Sequence, residues 1–339
     1  FFFFRVGDVL LASSTADYMR EDEVYATVGL INSRLDLVPT STQQSARRTR
    51  IAMLNAKAGQ LAVECAAFSP ALGYFKTAIK LLPPDHWKSH FHESLNIYSS
   101  AAECAHIIKD SDERNRYCSA ILSLDCPILD KVRAYHISTD GLLAEKRAES
   151  TAQVIPMILQ LLDQLGCKLP KGTFRRSIRF LRGLFKLKRA ASKWTLQTFQ
   201  DKSTPPDATQ VAITETLEKL ALVAFLIRPE LFPFFALETT ERTLKYGIMP
   251  NSSTALAALA AIVGYFMGDF EASRNISEIA LQMTDLPSNQ HSKCSAMFTI
   301  NATCQHWMKP LGSTVDDYWR AYEHGMACGD VDFGLRSAA

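Results

Sequence analysis

None of the eight cysteines forms a C-x-x-C pair; Cys65, Cys104, Cys118, Cys126, Cys167, Cys294, Cys304 and Cys328 are scattered along the chain. Most sit among apolar helical positions, as in Glu64-Cys65-Ala66 and Glu103-Cys104-Ala105. They read as buried free thiols in a reducing compartment rather than disulfides or metal ligands, which predicts a cytoplasmic location. A G-x-x-x-x-G-K-[ST] loop is missing, and so are a kinase Gly-rich loop, H-R-D, D-F-G and a G-x-S-x-G elbow. The parts for phosphoryl transfer or serine hydrolysis of known design are therefore lacking, and no catalytic residue, cofactor or metal is expected. The longest uncharged apolar run, Ala255–Met267, falls short of a membrane span by roughly a third. Ala221–Leu237 is apolar but carries Arg228, Pro229, Glu230 and Pro233. Neither sign of charge dominates: Lys+Arg 37 against Asp+Glu 35 gives net +2, so the overall balance selects no polyanionic partner. With 47% hydrophobic and 21% charged residues, the composition carries no sign of disorder.

The chain opens on Phe1 rather than Met, and Phe1–Phe4 lack the basic region of a signal peptide. It is expected to be a piece of a longer protein. Sequons start at Asn251, Asn275 and Asn301; without a secretory context they read as chance matches.

What is present is a helical period almost throughout, with apolar residues recurring at three and four positions and no long alternating strand pattern. The clearest unit runs over 59–83. Gly59, Ala71, Phe75, Ala78 and Pro83 stand at the offsets of a tetratricopeptide-like helix–turn–helix. Small residues let two helices approach, Phe75 fills the space between them, and Pro83 stops the second helix because it cannot donate the next hydrogen bond. Ala71, Phe75 and Ala78 are expected in one buried seam. Such a unit cannot bury its apolar face alone, so it predicts stacked neighbours. The pattern returns weakly at Gly268-Asp-Phe-Glu-Ala272, with Ala272, Ile276 and Ile279 at matching offsets. Two more degenerate units turn near Asp112 and Glu149, without a constant step. The fold expected is all-α, an irregular TPR-like helix–turn–helix array of α-solenoid type. Residues 2–17 are predicted to end one helix, Ser41–Phe68 and Pro70–Leu82 to form the clearest pair, and Asp85–Lys109, Phe174–Phe199 and His291–Trp307 to be single helices. Thr314–Cys328 is the last helix predicted. Asp201-Lys-Ser-Thr-Pro-Pro-Asp207 is the best candidate boundary, giving an N-terminal array over 1–200, a linker over 201–207 and a C-terminal array over 208–339.

A series of short signposts then becomes recognisable. Asp22-Glu-Val-Tyr-Ala-Thr-Val-Gly-Leu-Ile-Asn32 is followed by Arg50-Ile-Ala-Met-Leu-Asn-Ala-Lys-Ala-Gly59, Ala67-Phe-Ser-Pro-Ala-Leu-Gly-Tyr-Phe75 and Leu81-Leu-Pro-Pro-Asp-His-Trp87. Later come Gln164-Leu-Gly166 with Leu169-Pro170, Pro229-Glu-Leu-Phe232, Tyr246-Gly247, Gly268-Asp-Phe270 and Gln305-His-Trp307. Their order, over nearly the whole chain, resembles the helical-repeat segment of very large signalling proteins. In that family the segment follows an AAA/STAND-type ATPase module, often preceded by a serine/threonine kinase-like domain, and precedes GAF, histidine-kinase or cyclase output domains. The resemblance implies a non-catalytic regulatory scaffold whose partners are other proteins or flanking domains of the same polypeptide. It leaves open a composite reading, in which this is a piece of an ATP-binding sensor kinase with its catalytic domains outside the chain.

Two clusters remain. Asp85-His-Trp-Lys-Ser-His-Phe-His-Glu93 places His86 and His90 four apart with Glu93 a turn on, a spacing that suits a divalent metal. The order is not H-E-x-x-H, and the simpler reading is a solvated first turn with Trp87 packed inward. Residues 171–193 hold nine Lys or Arg and no acid. Phe174, Ile178, Leu181 and Phe185 make an apolar stripe, beside a basic stripe of Arg175, Arg179, Arg182, Lys186, Arg189 and Lys193. Two readings stand: a packed linking helix whose basic edge faces water or the acidic stretch Glu215–Glu241, or a contact surface for an anionic membrane or acidic partner. The contact reading expects the basic side exposed and the apolar side buried. Nucleic acid is disfavoured, because aromatic residues are not interleaved on the basic face.

Overall fold

Every regular element among the described residues is a helix. The structure is a computed structural model that describes residues 20–35, 45–170, 172–201, 207–328 and 330–338. The helix expected over 2–17 lies outside these residues, as do most of the 201–207 linker and the start of Ser41–Phe68. The chain divides between Ser150 and Thr151 into two compact units.

The first unit contains α1 (Glu21–Asn32), α2 (Ser45–Glu64), α3 (Phe68–Leu81), α4 (His86–Ser89), α5 (Phe91–Ile107), α6 (Ser111–Leu122) and α7 (Ile128–Ala144). Each long helix packs on its sequence neighbours, α1 on α2, α2 on α3, α3 on α5, α5 on α6 and α6 on α7. The buried positions of α2 are Ile51, Ala52, Leu54, Asn55, Ala58, Gly59 and Ala62, one face of a 3.6-residue period. Asn55 is the polar member of that face. It exchanges hydrogen bonds with Asn32 of α1, at 2.7 and 3.2 Å, and also donates to the Ile51 carbonyl. A buried amide so satisfied avoids the desolvation cost of an unpaired one.

The helix ends follow one device. Ala66, Lys109 and Gly166 take left-handed φ of 55°, 65° and 84°. The following amides, of Ala67, Asp110 and Cys167, then reach back five residues to the carbonyls of Ala62, Ala105 and Leu162 at 2.8 Å. This satisfies carbonyls that the helix would leave open.

The single helix expected over Asp85–Lys109 is two. His90, at φ −140° and ψ 51°, breaks the chain between α4 and α5. The cause is tertiary: the His86 ring stacks on Tyr98 with centroids 5.7 Å apart, and Trp87 lies 4.8 Å from the same ring. Residues twelve apart in an unbroken helix would be about 18 Å apart, so α4 has to fold back.

The second unit contains α8 (Ala148–Gln164, most of it past the divide), α9 (Thr173–Ala191), α10 (Leu196–Gln200), α11 (Ala208–Ile227), α12 (Phe232–Tyr246), α13 (Ser252–Met267), α14 (Phe270–Thr284), α15 (Lys293–Ile300), α16 (His306–Met308), α17 (Val315–Cys328) and α18 (Val331–Ala338). Its tightest seam joins α13 and α14. Leu256, Leu259, Val263, Ile276, Ile279 and Met283 fill it, and Ser273 donates to the Ala260 carbonyl across it at 2.8 Å. The turn between them uses Gly268 at φ 64° and Asp269, whose carboxylate accepts from the Ala272 amide.

Two expected helices change their bounds, and one helix is added. Phe174–Phe199 ends as α9 at Ala191, where the Asn275 amide donates to the Ala191 carbonyl at 2.6 Å; Trp194 then turns in against Phe199 of α10. His291–Trp307 is interrupted by a π turn over Asn301–Gln305. Beyond Thr314–Cys328 lies the unexpected α18, which approaches α17 backbone to backbone, since a Cβ on Gly325 would sit 2.7 Å from the Gly334 Cα. Helices α9 and α10, grouped with 1–200 by composition, pack here on α12 and α14.

Candidate interaction surface

The α2–α3 pair shows how the repeat residues are used. Ala71, Phe75 and Ala78 are buried on α3, and a Cβ on Gly59 of α2 would lie 2.8 Å from the Phe75 ring. Pro83 follows the Leu82 cap, just past the end of α3. Ala272 is buried in the first turn of α14. These residues make seams between helices.

In the histidine cluster His86 is engaged by its neighbours. His86 faces Ser94, with Nδ1 3.0 Å from Oγ, and its rings stack as described. Burial, more than its neighbours, pulls its pKa below the ordinary imidazole value. Among the described residues no group of three or more His, Cys, Asp or Glu is disposed to hold a metal ion.

Helix α9 carries a dense field of basic side chains. Arg175, Arg179, Arg182, Lys186, Arg189 and Lys193 are all exposed. Two cations of the helix are held by acids. Arg179 makes a forked pair with Glu238 of α12, at 2.5 and 2.7 Å, and Lys188 reaches Asp269 at 3.0 Å. The Glu238 carboxylate is nearly inaccessible, at 3% exposure. Burial pushes its pKa up, and Arg179 opposes the shift. At Asp269 the Ala272 amide and Lys188 hold the carboxyl below its usual range. Among the described residues Arg175, Arg182, Lys186, Arg189 and Lys193 have no acidic partner within ion-pair distance.

The apolar stripe is not where the sequence reading put it. Phe174, Leu181 and Phe185 are 78%, 50% and 62% exposed, and only Ile178 is half-buried. The face that meets the core is instead Gly183, Leu184, Leu187 and Ala191. Gly183 decides this: a Cβ there would meet a Leu237 methyl carbon at 2.7 Å, so the absent side chain lets α12 close onto α9. Arg179 is then drawn to Glu238 on the same helix. The spacing of Gly183, Leu184, Leu187 and Ala191 was a readable signal, masked by the larger residues of the other stripe.

On a wheel of 100° per residue, the Phe174 line and the Arg175–Arg182–Arg189 line lie about 80° apart, both on the half turned away from the buried face. Exposed large residues continue nearby. Phe185 shares a surface cavity of about 710 Å³ with Asp269 and Glu271, at the turn that follows the exposed Tyr265 and Phe266. No helix among the described residues is long and apolar enough to cross a membrane. No protein-family model matches the chain, and a search of curated proteins gives no match.

Proposed function

We propose that this chain is a non-catalytic regulatory scaffold, acting through protein–protein contact in the cytoplasm as one segment of a multidomain, ATPase-linked signal-transduction protein. The observation that supports it most is the succession of helix pairs closed by small-residue seams, Gly59 against Phe75 and Gly264 against Ser273. In such arrays each pair touches mainly its neighbours, and the outer faces are left for ligands. The signposts from Asp22 to Trp307 supply the signalling context by resemblance.

The flanking coding sequence tests this reading. A phosphate-binding loop upstream, with a GAF, histidine-kinase or cyclase module downstream, is the expected result, and flanks without either would remove the signalling part. The purified chain mixed with ATP should release no phosphate above a buffer control. Turnover by the isolated chain would favour the sensor-kinase alternative in a form that places catalysis inside these residues.

A further inference from the structure

We infer that the outward half of α9 is a docking surface for an anionic lipid bilayer, on which the helix lies parallel to the membrane plane. The second unit leaves two adjoining lines of α9 in water. One is apolar, with Phe174, Leu181 and Phe185 exposed, and runs about 17 Å along the helix. The other is cationic, with Arg175, Arg182, Lys186 and Arg189 exposed and without acidic partners among the described residues.

The combination selects the occupant. A purely polyanionic partner would neutralise the cations but strand Phe174 and Phe185 in water. A purely apolar partner would bury the phenyl rings but desolvate unpaired guanidinium groups, which is costly. A bilayer interface offers both layers within a few ångströms: acyl chains for the apolar line and headgroup phosphates for the basic line. The basic side chains are long enough to reach the phosphates while their methylene stems stay in the apolar layer. The buried face fixes the helix in the orientation this needs, because Leu184, Leu187 and Ala191 hold it to the core and turn both lines outward. Of the acids that face α9, Glu238 and Asp269 are engaged with Arg179 and Lys188, Glu241 lies 4.0 Å from Arg179, and Glu271 shares the cavity beside Phe185, so Arg175, Arg182, Lys186, Arg189 and Lys193 still outnumber the acids left to them.

The experiment is sedimentation of the whole chain with vesicles of phosphatidylcholine alone and of equal parts phosphatidylcholine and phosphatidylserine. Two double variants are compared, Leu181→Ser with Phe185→Ser and Arg182→Gln with Lys186→Gln; a thermal melt confirms that both fold, since all four side chains are exposed. Expected are binding to the anionic vesicles only, weakening as salt rises, and a loss of about ten-fold or more in either variant, each surface cation being worth roughly five-fold. In a Phe185→Trp variant the added emission should shift to the blue with anionic vesicles. Absence of vesicle binding, equal binding to neutral vesicles, or indifference to Leu181→Ser with Phe185→Ser would each overturn the inference. Equally strong binding of polyglutamate, or self-association abolished by the serine variant, would overturn it too and give the face to an acidic protein or a second copy. None of these outcomes touches the flanking-sequence test, so the scaffold reading stands or falls separately.

Discussion

Phe75 occupies the space that a side chain on Gly59 would need. Its ring lies 2.8 Å from the position of a Cβ at residue 59, although the two residues belong to different helices. Gly59→Ala should therefore overpack the α2–α3 seam and cost about 1–3 kcal/mol, and Ala78→Leu should do the same. Gly73, on the exposed side of α3, has nothing within 4 Å of its added Cβ. There Gly73→Ala should stabilise by about 0.5–1 kcal/mol, because glycine is a poor helix residue. Urea unfolding of the three variants reads the opposite signs directly. Equal midpoints for Gly59→Ala and the parent chain would contradict the seam.

Left-handed residues at helix ends give a second pair of opposite effects. Lys109 is exposed and holds φ 65° with a Cβ, whereas Gly166 holds φ 84° without one. Lys109→Gly should raise stability by about 0.5–1 kcal/mol, and Gly166→Ala should lower it by about as much or more. Thermal melts at matched conditions decide this. A destabilised Lys109→Gly would mean that the lysine side chain makes a contact worth more than its backbone strain.

The pH dependence should carry a mark from Glu218. Burial of its carboxyl pushes the pKa up to about 8, and hydrogen bonds from Thr254 and Asn251 only partly oppose the shift. Below the unfolded value of about 4.3 the group is neutral in both states. Between there and about 8 the unfolded chain ionises while the folded chain keeps its proton, so stability falls as pH rises. Glu218→Gln, neutral throughout, should flatten that limb and be more stable than the parent at pH 8. Parallel stability curves for the two proteins from acid to pH 8 would show that the carboxyl ionises freely in place.

Thiol reactivity should separate the cysteines by burial. Cys65 and Cys328 are exposed, whereas Cys104, Cys118, Cys167, Cys294 and Cys304 are buried. Burial lifts the Cys104 thiol to about 11 and the Cys294 thiol to about 12, which leaves little thiolate to react. Alkylation of the native chain followed by peptide mass mapping should label Cys65 and Cys328 first and the buried group only on unfolding. Early labelling of Cys104 would place an opening of α5 well below global unfolding.

The helical class was legible because the 3.6-residue period is strong; the bounds of Ala208–Ile227 follow from its pattern and from Asp207, which caps it. What could not be read was fixed by contacts outside the local helical period. The break at His90 is set by Tyr98, and the end of α9 by Asn275, more than eighty residues away. The basic line of α9 was visible as a line, but its orientation was not. A helix with two apolar lines does not say which one faces the core, and the deciding feature was a missing side chain, Gly183. Helix α18 lies beyond the last helix expected because it is only eight residues long and carries Gly334, a poor helix residue whose use is the backbone-to-backbone approach to Gly325.

The π turn at Asn301–Gln305 acts as a phase shifter. It lodges one surplus residue in an otherwise helical rod, and that residue sets everything downstream back by about 100°. Cys294, Ala296 and Ile300, before the turn, point into the core, while Trp307, after it, points outward against Phe270 with ring centroids 5.2 Å apart. Excising a single residue from the turn would restore an unbroken α-helical ladder, yet it would swing Trp307 away from Phe270. At this place the spacing between helical landmarks, more than the identity of any residue in the turn, decides which way the tryptophan faces.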